Sequence, residues 1–112
     1  MTAIPEGYTC TEPKRLEDIL EAEDYLEEYS FLVPLLEEAL PALRLQFGDC
    51  PCTLEVSYDP EEPGHHQLVA YVHTSLSPQE ALDALKAFDD GWFLGQLTRT
   101  QGRLSFNVRF VG

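Results

Sequence analysis

The sequence predicts an α+β fold: N-terminal helices, then a three-stranded antiparallel sheet of order 2-1-3, with a strand–helix–strand crossover before the last strand. Three observations carry that expectation. Apolar residues recur at helical spacing from Lys14 to Tyr29. Apolar and polar residues alternate in 53–58 and again in 103–110, the pattern of strands with one buried face. Between the second and third strand candidates lies a capped helix start, Ser77-Pro78-Gln79-Glu80. A chain of 112 residues holds one domain, read here as 14–112. Residues 1–13 contain Pro5, Gly7 and Pro13 without periodicity and read as an irregular arm.

The first helix is expected over 14–29. Leu16, Ile19, Leu20 and Leu26 form its apolar stripe, widened by Ala22, Tyr25 and Tyr29. Its other face is carboxylate: Glu17, Asp18, Glu21, Glu23, Asp24, Glu27 and Glu28. A second helix opens near Pro34, where the missing N–H of the first turn costs little. Leu35, Leu36, Ala39 and Leu40 make its inner face. Pro41 should end or kink it, with a short restart through Ala42, Leu43, Leu45 and Phe47 and a left-handed stop at Gly48.

In the first strand Leu54, Val56 and Tyr58 point one way, and Glu55 and Ser57 the other. Asp59 to Gly64 is turn-rich, so Gln67 to His73 should return as the second strand of a hairpin. The helix after Ser77 runs through Ala81, Leu82, Ala84, Leu85 and Phe88 and slows at Asp89, Asp90 and Gly91, with Trp92 and Phe93 able to extend it. Gly95 to Gly102 reads as a connector. The last strand turns Leu104, Phe106, Val108 and Phe110 inward. Glu55, Ser57, Asn107 and Arg109 then line an exposed sheet face. A right-handed crossover that skips one position sets the last strand beside the first.

Charge narrows the function classes. Seven basic and twenty acidic residues give 7 − 20 = −13. Residues 1–62 hold 16 acids and 3 bases, and residues 63–112 hold 4 of each, so the whole net charge sits in the first part. Such a surface opposes direct binding to nucleic-acid phosphates or anionic lipid. Like charges at i,i+4, as in Glu17/Glu21, Glu23/Glu27 and Asp24/Glu28, repel one another within a helix. A helix that tolerates this fits a basic partner protein, or a plain solvated face. Neither an export leader nor a span of ~20 apolar residues is present, which points to the cytoplasm.

Chemistry-bearing motifs are sparse. Cys10, Cys50 and Cys52 are odd in number, and Cys50-Pro51-Cys52 is too tightly spaced for a usual disulfide or zinc half-site. Cys50, Cys52, His65 and His66 are the candidate ligands or nucleophiles for a metal- or thiol-dependent hydrolase. Adjacent loop histidines point apart, so no cofactor or metal is expected. Gly91-Trp92-Phe93-Leu94-Gly95 with Arg99 and Arg103 unites residue types enriched at binding hot spots.

From Tyr29 onward the chain resembles a group of small bacterial proteins, cyanobacterial in type, to which no activity is attached. The residues that carry the resemblance are Phe31-Leu32-Val33-Pro34-Leu35-Leu36-Glu37-Glu38-Ala39, Leu54-Glu55-Val56, Asp59-Pro60-Glu61, Thr74 to Leu82, Phe88-Asp89, Trp92 and Gly102-Arg103-Leu104. The resemblance implies a bacterial origin and a compact fold, and no mechanism. Where the group has two adjacent aromatic residues preceded by acids, this chain has Asp89-Asp90-Gly91-Trp92-Phe93.

The expectation is therefore a small acidic cytoplasmic protein without catalysis, acting as an interaction or regulatory module of antitoxin or inhibitor kind. Its candidate partner surface comprises Glu17, Glu21, Asp24, Glu28, Trp92, Arg99 and Arg103. A hydrolase and a homo-oligomeric structural protein are the alternatives, the latter through the sheet face or an open edge strand.

Overall fold

The computed structural model describes residues 5, 7–10, 23–58, 61 and 66–111. Its elements in order are β1 (Tyr8–Cys10), a helical segment at 23–28, α1 (Leu32–Phe47), β2 (Cys52–Tyr58), β3 (His66–Thr74), α2 (Pro78–Gly91), a 3-10 turn (Phe93–Gln96), α3 (Leu97–Thr100) and β4 (Leu104–Phe110). The α+β content is as expected. The sheet is not. Among the described residues it has four strands in order β1-β2-β3-β4 and is mixed: β1 and β2 parallel, β2 and β3 antiparallel, β3 and β4 parallel.

The three-stranded antiparallel 2-1-3 arrangement is thus corrected in two respects. First, Tyr8–Cys10, in the stretch read as an irregular arm, pairs with Cys52–Leu54. Three residues are too few to show a period, so local patterning could not find β1. Second, β4 does not skip a position. β1 occupies the edge of β2 that β4 would have taken, and β4 pairs instead with β3, the strand the chain has just left. The described helices of the β1→β2 and β3→β4 connections, α1 and α2, lie on the same face of the sheet, while the strands those connections leave run in opposite directions. The two crossovers are consequently of opposite hand, so the right-handed rule cannot hold for both.

One sheet face carries the core. Register places Tyr8, Cys52, Val72 and Val108 in one row, Leu54, Ala70 and Phe106 in the next, and Val56, Leu68 and Leu104 in a third. Leu32, Leu35, Leu36, Ala39, Leu43 and Phe47 of α1 pack onto them. From α2 comes Phe88, whose ring meets Trp92, Phe93 and Phe106. Gly7 stands at φ +97°, which glycine alone adopts without strain, and a Cβ there would have to displace the Leu40 side chain of α1.

Pro41 neither ends nor divides α1, which runs unbroken from Leu32 to Phe47. The reason is placement. Pro41 and Glu37 are both exposed, so water can satisfy the Glu37 carbonyl that the missing N–H abandons. Buried Leu35, Leu36, Ala39 and Leu43 hold the helix to the sheet on its other side. Gly48 stops the helix at φ +78°, its N–H donating to the Arg44 carbonyl at 2.9 Å. Ser77 caps α2 as expected, accepting from the Glu80 N–H at 3.2 Å. Glu80 does not reach back to the Ser77 N–H; its carboxylate accepts from the Ser77 hydroxyl at 2.9 Å. The stretch read as a connector contains the 3-10 turn and α3, and the chain then reverses through Gln101 and Gly102, both at positive φ.

Candidate functional site

Of the predicted first helix, residues 14–22 lie outside the described residues, and Glu17 and Glu21 with them. The described part packs on the domain. Tyr25 and Leu26 are 5% and 0% exposed, while Asp24, Glu27 and Glu28 face solvent. Positions 24, 27 and 28 share one helical face. The Tyr25 hydroxyl donates to the His66 carbonyl at 2.8 Å and also faces the Arg103 carbonyl at 3.4 Å, which ties the segment to the start of β3 and the chain leading into β4. The Arg103 guanidinium lies 4.1 Å from the centre of the Tyr29 ring. Burial raises the Tyr25 pKa above its ordinary value, opposed by the hydrogen bond and charge of Arg103.

The other sequence-picked residues sit apart from this face. Trp92 is half-buried against Phe88 and Phe93. Arg99 forms a two-pronged pair with Glu38 at 2.7 and 3.1 Å and also donates to Gln96, fastening α3 to α1. That hydrogen bond, then the charge behind it, holds the Glu38 carboxyl below the usual carboxylate range. The structure therefore joins Arg103 to the Asp24/Glu28 segment and places Trp92 and Arg99 elsewhere.

A second surface is the face of the sheet opposite the core. Thr53, Glu55 and Ser57 of β2, Gln67, Val69, Tyr71 and His73 of β3, and Ser105, Asn107 and Arg109 of β4 share it by register. Arg109 crosses the face diagonally, its guanidinium 3.9 Å from the Tyr71 ring centre and bonded to Glu55 at 2.5 Å. Thr53 Oγ1 and His73 Nε2 are 2.8 Å apart. Val69 at the centre is buried by these neighbours. Glu55, Ser57, Asn107 and Arg109 were legible from alternation. Tyr71 and His73 were missed because their face follows only once β3 is registered against β2; the period-2 series Gln67, Val69, Tyr71, His73 was the available signal.

The Cys52 thiol is poorly placed for nucleophilic chemistry. Cys50 and Cys52 are free. Cys50 Sγ donates to the Phe47 carbonyl at 3.1 Å. Burial, then the charge of Cys50, pushes the Cys52 thiol up to about 11, so it stays protonated at neutral pH. His65 lies outside the described residues, and His66 is the first residue of β3. Among the described residues no group of three or more His, Cys, Asp or Glu side chains converges as a metal site. No helix of the described residues is long and apolar enough to cross a membrane. No protein-family model, curated protein or solved structure matches the chain.

Proposed function

We propose that the chain is a non-catalytic, cytoplasmic protein-interaction module of regulatory kind, an inhibitor or antitoxin in type, whose acidic helical face docks on a basic surface of a partner protein. The observation that carries this reading is the anchoring of the helical segment. Tyr25 and Leu26 hold it to the core, so Asp24, Glu27 and Glu28 are presented from a fixed backbone rather than a free arm. A fixed array of one sign steers an oppositely charged partner and raises its association rate. The buried, protonated Cys52 weighs against the thiol-hydrolase alternative.

The test is a low-salt pull-down from native lysate, followed by association kinetics with any stoichiometric basic partner. The substituted chain carries Glu17→Gln, Glu21→Gln, Asp24→Asn and Glu28→Gln. Slower association with a flatter salt dependence supports the reading. An association rate unchanged by those substitutions overturns it.

A further inference from the structure

Among the described residues β4 is one of the two edge strands of the sheet, β1 being the other, and its backbone groups alternate in direction. The Leu68 N–H donates to the Arg103 carbonyl, and the Val111 N–H donates to the Thr74 carbonyl. In a parallel pair the strand's hydrogen-bonding residues alternate. Odd-numbered residues 103 to 111 therefore turn their backbone groups toward β3. Leu104, Phe106, Val108 and Phe110 turn theirs outward, where no described strand pairs with them. One outward donor has a partner: the Val108 N–H donates to Oδ1 of the preceding Asn107 at 2.8 Å.

We propose that this edge takes a second copy of the chain, β4 against β4 in antiparallel two-fold register centred on Asn107. Three observations select that occupant. The outward residues are symmetric about Asn107, so Leu104 meets Phe110 of the second copy and Phe106 meets Val108, each a hydrogen-bonded pair exchanging two backbone bonds over the full length of β4. The pairing sets apolar residues opposite apolar ones, with Phe110, 52% exposed in the single chain, against Leu104. Charge permits it. From Gly91 to Gly112 the chain has three arginines and no acid, although its net charge is −13, and Arg109 falls opposite Ser105 rather than opposite its own copy. The two open sheets become one of eight strands, and the Asn107–Val108 bond is exchanged for a backbone bond across the axis. Asn107 thus restrains the edge, since its bond must open first.

The inference is independent of the acidic-face reading and has its own readouts. Light scattering and sedimentation should show a mass that rises with concentration toward twice the monomer. Added salt should strengthen association, because it screens repulsion between two acidic chains. Residue-resolved amide exchange is the sharper test. Ser105, Asn107 and Arg109 are protected at any concentration, while Phe106 and Phe110 gain protection only as the dimer forms. Asn107→Thr, which removes the competing acceptor, should tighten the dimer about fivefold. Phe110→Pro removes an outward N–H that β3 does not use and should return a folded monomer. A strictly monomeric wild-type chain and Asn107→Thr variant would overturn the proposal. So would a dimer in which the Phe106 and Phe110 amides still exchange freely, since that dimer uses another surface.

Discussion

The Tyr25 phenol donates to the His66 backbone carbonyl at 2.8 Å, joining residues 41 apart in sequence. That bond adds to the burial of Tyr25 and Leu26 in holding the acidic segment to the domain. The ring is buried in the core and packs on Tyr29 at 4.7 Å, with Arg103 over Tyr29 in turn. Tyr25→Phe keeps the ring and deletes the bond. It should cost about 1 kcal/mol in urea unfolding and speed amide exchange across 23–29 more than in α2. Uniform exchange changes would mean that the segment is held by burial alone.

Phe88 should be the most sensitive aromatic position. Its ring is 1% exposed and meets three other rings, so Phe88→Ala leaves a cavity where α2, the 3-10 turn and β4 converge. The expected cost is about 3–5 kcal/mol. Leu45→Ala, at a site 81% exposed on α1, should change stability by less than about 0.5 kcal/mol. Denaturant melts of the two variants check the contrast.

Removing the Asp89 charge should stabilise the fold. Asp89 stands near the C-terminal end of α2, which has no basic residue in its last turn. The helix dipole disfavours a carboxylate there, and burial, then the neighbouring Asp90, raises the Asp89 pKa. Asp89→Asn should gain about 0.5 kcal/mol at neutral pH, with the gain shrinking in acid as the wild-type carboxyl takes up its proton. Melting curves at neutral and acid pH read it directly.

Stability should fall on the alkaline side. Burial raises both the Cys52 thiol, from 9.0 to about 11, and the Tyr8 phenol, whose hydroxyl donates to the Leu36 carbonyl at 2.8 Å. Raised folded pKa values mean that the folded chain holds these protons more tightly than the unfolded one. Their contribution is complete below the unfolded thiol value and is lost as pH rises from there through the folded value. Urea midpoints should therefore decline from about pH 9 upward, and Cys52→Ala should show a smaller decline.

The sequence by itself determined the local elements whose causes are local. Ser77 and Pro78 start α2 because a hydroxyl and a fixed φ satisfy the first turn. Gly48 ends α1 because a positive φ is cheap there. Alternation in Leu54-Glu55-Val56 and Leu104-Ser105-Phe106 assigned inner and outer faces before any pairing was known. The concentration of carboxylates in the first half likewise needs no coordinates.

Tertiary structure decided what depends on neighbours distant in the chain. Tyr8–Cys10 is a strand because β2 offers an edge and Gly7 lets the chain pass close to Leu40, and neither fact is written in three residues. Pro41 is tolerated because its side of α1 is wet while the opposite side is buried. Trp92, Arg99 and Arg103, close in sequence, serve three separate contacts, with Phe88, with Glu38 and with Tyr29. Register did the same for the open face, bringing Tyr71 beneath Arg109, a pairing that alternation in either strand alone does not specify. The physical reason is common to all of these. Caps, turns and periodicity act within a few residues, whereas strand order, edge occupancy and side-chain partners are settled by which surfaces the folded chain can bury together.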